Sequence, residues 1–75
     1  MSVTADWSLW TSSAPSEYFT WIKQQLRDQY TVTSQGDRNL LMTRWLSGDV
    51  YTLQFTLTPD AQGNDIRVEF HATPD

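Results

Sequence analysis

Any catalytic reading of this chain has to begin with His71, its single histidine, because cysteine is absent. Without a thiol no Cys–His nucleophile can form, and an all-protein zinc site usually needs three or four nitrogen or sulfur ligands. His71 falls on the polar side of an alternating stretch, where a solvated or salt-paired imidazole is expected. Ser12, Ser13 and Ser16 lie close together, but no base is near them in sequence, and helix capping and turn formation account for them. The run Pro59-Asp60-Ala61-Gln62-Gly63-Asn64-Asp65 sets carboxylates around a glycine, yet it lacks the alternating acidic ligands and closing glutamate of an EF-hand. It reads as a polar hairpin loop. Asp37 and Asp49 follow glycines in tight turns, and no glycine-rich phosphate cradle occurs. The expectation is a non-enzymatic chain with no cofactor and no metal.

The residues that remain in question are the four tryptophans, Trp7, Trp10, Trp21 and Trp45. Aromatic side chains can fill a core, anchor a partner or stack on a ligand. In a chain of 75 residues there is room for a single domain, spanning residues 1–75, and with no disulfide its stability must come from packing. The net charge is −4, and Lys23, Arg27, Arg38, Arg44 and Arg67 are scattered over separate segments. That distribution argues against a phosphate-binding stripe, so nucleic acid is not an expected partner. The longest aliphatic run, Leu40-Leu41-Met42, is far too short to cross a bilayer, so no membrane association is expected either. A cytoplasmic address is the default expectation; a periplasmic or secreted one would follow if a signal peptide had been removed upstream.

Two periodicities organise the chain. From Ala14 to Gln29 the apolar residues recur at helical spacing, with Tyr18, Phe19, Ile22 and Leu26 on one face, Trp21 at its margin, and Lys23, Gln24 and Arg27 opposite. Ser13 is placed to cap this helix, Pro15 suits its first turn, and Glu17 complements its positive end. Beyond Tyr30 the pattern alternates, with turn residues near Gly36, Gly48 and Pro59 to Asn64. Tyr51, Leu53, Phe55 and Leu57 share one face of a strand, as do Ile66, Val68, Phe70 and Ala72 of another. The opening Val3-Thr4-Ala5-Asp6-Trp7-Ser8-Leu9-Trp10 also alternates and would make an edge strand ahead of the helix. The fold expected is α+β, one amphipathic helix packed on an antiparallel sheet of three to five strands, an α-β-β-β-β meander with or without that leading N-terminal strand.

The stretch Asn39 to Leu46 does not alternate cleanly, so its turn decides which residues face the helix. A two-residue Gly48-Asp49 turn is favoured by the leading glycine. It would pair Leu46 with Tyr51 and Met42 with Phe55, and turn Leu41, Trp45 and Val50 outward. A three-residue Ser47-Gly48-Asp49 loop would instead pair Trp45 with Tyr51. Either way the second face of the sheet carries surplus apolar residues. The leading expectation is therefore an interaction module that binds another protein or a second copy of itself, with Trp45, Val50, Leu41, Arg44, Trp7 and Trp10 as candidate partner-binding residues. Two alternatives stand beside it. Carboxylates in the loops suit an inhibitor, such as an immunity or anti-defence protein, that occludes a basic enzyme cleft. An exposed Trp45 near Gln54, Arg44 and the strand threonines suits a module that stacks a sugar or another small ligand.

Overall fold

The computed structural model describes residues 2–74. The elements run β1 (Val3–Thr11), α1 (Pro15–Leu26), β2 (Thr31–Gln35), β3 (Asn39–Leu46), β4 (Asp49–Pro59) and β5 (Asn64–Thr73). Strands β2 to β5 form a meander, and β1 joins its far side against β5, giving the order β1-β5-β4-β3-β2. Every neighbouring pair is antiparallel. This is the expected α+β architecture with the leading strand present.

The helix is shorter than its apolar periodicity suggested. Pro15 opens it and Glu17 sits in its first turn, but the capping position is Ala14, in extended conformation and without a side-chain cap. Ser13 is not the cap. Its amide donates to Thr11 Oγ1 at 3.1 Å and its carbonyl accepts from Asn64 Nδ2 at 3.1 Å, so it ties β1 to β5 instead. At the other end the amides of Gln29 and Tyr30 both turn back to the Leu26 carbonyl, at 3.0 and 2.8 Å, which closes the helix before Gln29 and swings the chain into β2.

Phe19 and Ile22 from α1 meet Leu40, Met42, Phe55, Leu57, Ile66 and Val68 from the three central strands to form the core. Burying each such side chain contributes about 1.5–3 kcal/mol, and Tyr18, Leu26, Tyr30 and Leu53 pack around the margin.

The β3–β4 hairpin departs from both expected registers. Ser47 and Gly48 are the two loop residues, at φ 52° and 84°. Positive φ at both positions marks the mirror-image turn whose twist matches the flanking strands, with glycine in its preferred second place. Leu46 therefore pairs with Asp49, Trp45 with Val50, Met42 with Leu53 and Leu40 with Phe55. Neither Leu46 nor Trp45 pairs with Tyr51, and Met42 does not pair with Phe55. The displacement from the Gly48-Asp49 register is two residues, an even number, so side chains keep their faces. Leu40 and Met42 lie beneath the helix, and Leu41, Trp45 and Val50 point away from it. Leu46 also faces the helix side but lies beyond the covered area and is exposed.

Candidate interaction surface

The helix and the sheet differ in length. Twelve helical residues extend about 18 Å, whereas the eleven residues of β4 extend about 37 Å. The helix covers the rows running through Ile66 and Leu57, through Val68, Phe55 and Leu40, and through Met42. Two areas on the same face stay open. One is the length of β1, where Val3, Trp7 and Leu9 point to the helix side yet are 55%, 44% and 49% exposed. The other is the end of the sheet nearest Val3, where Tyr51 and Phe70 stack with ring centroids 6.3 Å apart. A shallow hollow of about 270 Å³ lies there, lined by Val3, Asp49, Tyr51, Ala72, Thr73 and Pro74. The two areas meet near Val3, along one edge and one end of the covered core.

The two edges of the sheet are built differently. Edge β2 has only five residues, and its register with β3 shifts between Val32 and Ser34, leaving Thr33 as a bulge. Short length and a bulge are devices that discourage edge-to-edge pairing. Lys23 from the helix also donates to Gln35 at this edge, at 2.9 Å. Edge β1 has nine residues in unbroken register with β5 and contains no proline, lysine or bulge.

The six residues singled out from sequence occupy four separate places. Trp45, Leu41 and Val50 share the outer face, with Trp45 63% exposed opposite a half-buried Val50. Arg44 alternates to the helix side opposite Tyr51 and donates to Gln29 Oε1 at 3.5 Å, so it does not share a face with Trp45. Trp7 lies on the helix side of β1, and Trp10 on the outer side near its end. Trp10 is held by its indole N–H, which donates to Asp60 Oδ2 at 2.7 Å. Val3 and Leu9 were not among the candidates. Their alternation with Trp7 and their place on an edge strand were readable; what marks them out is that the helix leaves them 55% and 49% exposed.

Several polar groups on the outer face pair with one another. Asp6 and Glu69 sit opposite one another on β1 and β5, and Arg67 lies between them, 3.2 Å from Asp6 and 3.6 Å from Glu69. His71 Nε2 is 3.9 Å from the other Glu69 oxygen. Thr43, buried in the middle of that face, accepts from the Thr33 hydroxyl at 2.7 Å. The amide of Gln62, the indole of Trp10 and the amide of Gly63 hold the Asp60 carboxyl below its usual range. Burial pushes the Tyr18 phenol upward; with Thr11, Ser13, Glu17 and Trp21 it lines a depression of about 400 Å³ beside the start of the helix. Among the described residues, no three of the His, Asp or Glu side chains are gathered as a metal site would need.

Among the described residues no helix is long and apolar enough to cross a membrane. No known protein family, curated protein sequence or solved structure matches the chain.

Proposed function

We propose that this chain is a protein-interaction module whose contact surface is β1, its open edge together with the apolar side chains that line it. The observation that carries this reading is the exposure of Val3, Trp7 and Leu9, each between 44% and 55%, along a nine-residue edge without proline, lysine or bulge, whose one charge, Asp6, is already paired with Arg67. Contiguous apolar surface of several hundred Å² is uncommon on a monomer and usually marks a contact. An open edge adds main-chain hydrogen bonds to that contact, and side chains at alternate positions select the partner. Tryptophan supplies a large anchor at low conformational cost.

Fluorine NMR of the chain labelled with 5-fluorotryptophan tests the reading directly. Four resonances are assigned by single Trp→Phe variants and then followed from dilute buffer into lysate of the source cell. The Trp7 signal is expected to shift and broaden in lysate, while that of helix residue Trp21 stays near its buffer position. A Trp7 signal identical in dilute buffer, concentrated buffer and lysate would overturn the proposal. If Trp45 alone moves, the contact lies on the outer face instead.

A further inference from the structure

The hydrogen-bonding phase of the sheet identifies what β1 offers to a partner. Leu57 donates its amide to the Arg38 carbonyl at 2.8 Å, so its polar groups look toward β3 and those of Thr58 look toward β5. The amide of Asp60 donates to Gly63 at 3.0 Å, in the same phase. The registers of β4 with β5 and of β5 with β1 are unbroken, so the alternation carries across them. Ile66 and Val68 bond to Leu9 and Trp7. The amides and carbonyls of Thr4, Asp6, Ser8 and Trp10 therefore face outward from the edge, unpaired within the sheet.

Resting on the interaction reading above, we infer that the partner of β1 is β1 of a second copy, paired antiparallel across a two-fold axis at Trp7. Symmetric pairing must set outward-facing residues opposite one another, which puts the centre on a residue rather than between two, and centres at Asp6, Trp7 and Ser8 overlap the most of the strand. A centre at Asp6 would set two carboxylates face to face, and one at Ser8 would leave Val3 and Thr4 beyond the other strand. The Trp7 centre engages all nine residues of the strand. Thr4 then pairs with Trp10 and Asp6 with Ser8, as hydrogen-bonded pairs in both directions, while Val3 faces Thr11 and Ala5 faces Leu9. Trp7 meets Trp7 in a non-hydrogen-bonded pair, where side chains approach most closely and aromatic pairs are favourable.

The charges match in this arrangement. Ser8 lies opposite Arg67 in its own sheet and opposite Asp6 of the second copy. Arg67 and that second Asp6 are thus two strand spacings apart, about 9.6 Å, across a short serine that leaves the arginine room to reach. Each Arg67 already holds its own Asp6 at 3.2 Å. The axis sets the two Asp6–Arg67 pairs side by side in alternating sign, with Glu69 of each copy 3.6 Å from its own Arg67. Pairing about an axis normal to the sheet keeps both helices on one side, so two five-stranded sheets merge into one of ten strands.

Sedimentation velocity from low to high micromolar chain, with amide exchange at both ends of the range, tests this. Concentration-dependent dimerisation is expected, with protection gained at Thr4, Asp6, Ser8 and Trp10 and not along β2. Ser8→Pro removes only an outward amide, at an extended edge position that tolerates proline, so it should weaken self-association about tenfold or more while leaving the monomer folded. If Ser8→Pro unfolds the chain, disulfide trapping decides. In a chain without cysteine, Trp7→Cys should cross-link much faster than Asp6→Cys, Ser8→Cys or the helix control Gln24→Cys, since only position 7 meets itself across the axis. Equal cross-linking rates, a dimer protected elsewhere, or a monomer throughout would overturn the pairing. A monomer whose Trp7 fluorine signal still moves in lysate overturns the second copy as partner and leaves the interaction reading standing; no movement in either experiment overturns both.

Discussion

Trp10 and Asp60 stand fifty residues apart in sequence, yet the indole nitrogen of one donates to the carboxylate of the other at 2.7 Å. The bond joins edge strand β1 to the β4–β5 turn. The second oxygen of Asp60 accepts from the amides of Gln62 and Gly63, at 2.9 and 2.8 Å, so one side chain closes its own turn and anchors a distant strand.

This carboxylate should make stability depend on acid. The Gln62 amide, the Trp10 indole and the Gly63 amide hold its pKa in the folded chain below the ordinary carboxylate value of about 3.9. A depressed folded pKa contributes stability that is fully present above the unfolded value and lost as pH falls through the folded one. Urea unfolding at neutral pH and at about pH 3 should show a larger acid loss in the wild type than in Asp60→Asn, whose amide does not titrate in this range. Equal losses would mean that other carboxylates carry the acid sensitivity.

Asn64 is expected to behave as a structural keystone. It is only 6% exposed, accepts from Arg38 Nη1 at 2.8 Å and donates to the Ser13 carbonyl at 3.1 Å. Asn64→Ala leaves both partners without their bond and should cost about 1–3 kcal/mol. A double-mutant cycle with Arg38→Ala, read by urea unfolding, should return a coupling energy clearly different from zero.

Met42 and Trp45 should respond in opposite ways to truncation. Met42 is buried beneath the helix, and Met42→Ala should destabilise the fold by about 2–5 kcal/mol. Trp45 is 63% exposed on the outer face, and Trp45→Ala should stay within about 0.5 kcal/mol in dilute solution. Denaturant midpoints of the two variants at one low concentration make the comparison.

Much of this was legible from residue patterns alone. The alternation of Tyr51, Leu53, Phe55 and Leu57 announced β4, and the even displacement of the hairpin left the outward face of Trp45 as expected. The turn itself was not legible, because Ser47-Gly48 and Gly48-Asp49 both offer a glycine, and only the twist of the flanking strands selects the residue pair that takes positive φ. Asn64 looked like loop composition because its two partners come from distant segments, around Ser13 and Arg38. The same limit scattered the candidate residues. Adjacent Arg44 and Trp45 look like one patch in sequence and occupy opposite faces in the sheet, whereas Val3 and Leu9 matter only once the helix is known to leave β1 uncovered.

Gly63 is fixed by a close approach. A Cβ there would lie 2.3 Å from the Thr11 carbonyl oxygen, 2.9 Å from Trp10 Cζ2 and 3.0 Å from Ser12 Cα. Two of those atoms are backbone and cannot swing aside. Gly63→Ala should cost about 1–3 kcal/mol and lower Tm by about 4–8 °C for each of them. Gly36→Ala meets only the Asn39 side chain, nearest at 3.0 Å, and its melting curve should move less.

The pairing of Val3 with Ala72 has a kinetic consequence. Each hairpin of the β2–β5 meander closes a short loop, but docking β1 closes one that spans almost the whole chain, which is entropically slow and raises contact order. We expect the meander and helix to assemble first and β1 to arrive after the folding barrier. In dilute stopped-flow experiments Trp7→Ala should then speed unfolding and leave refolding nearly unchanged, while Leu57→Ala should slow refolding. Until β1 docks, the backbone of β5 stands open along its whole outer side, and for that interval a folding molecule can accept the β1 of a neighbour in place of its own.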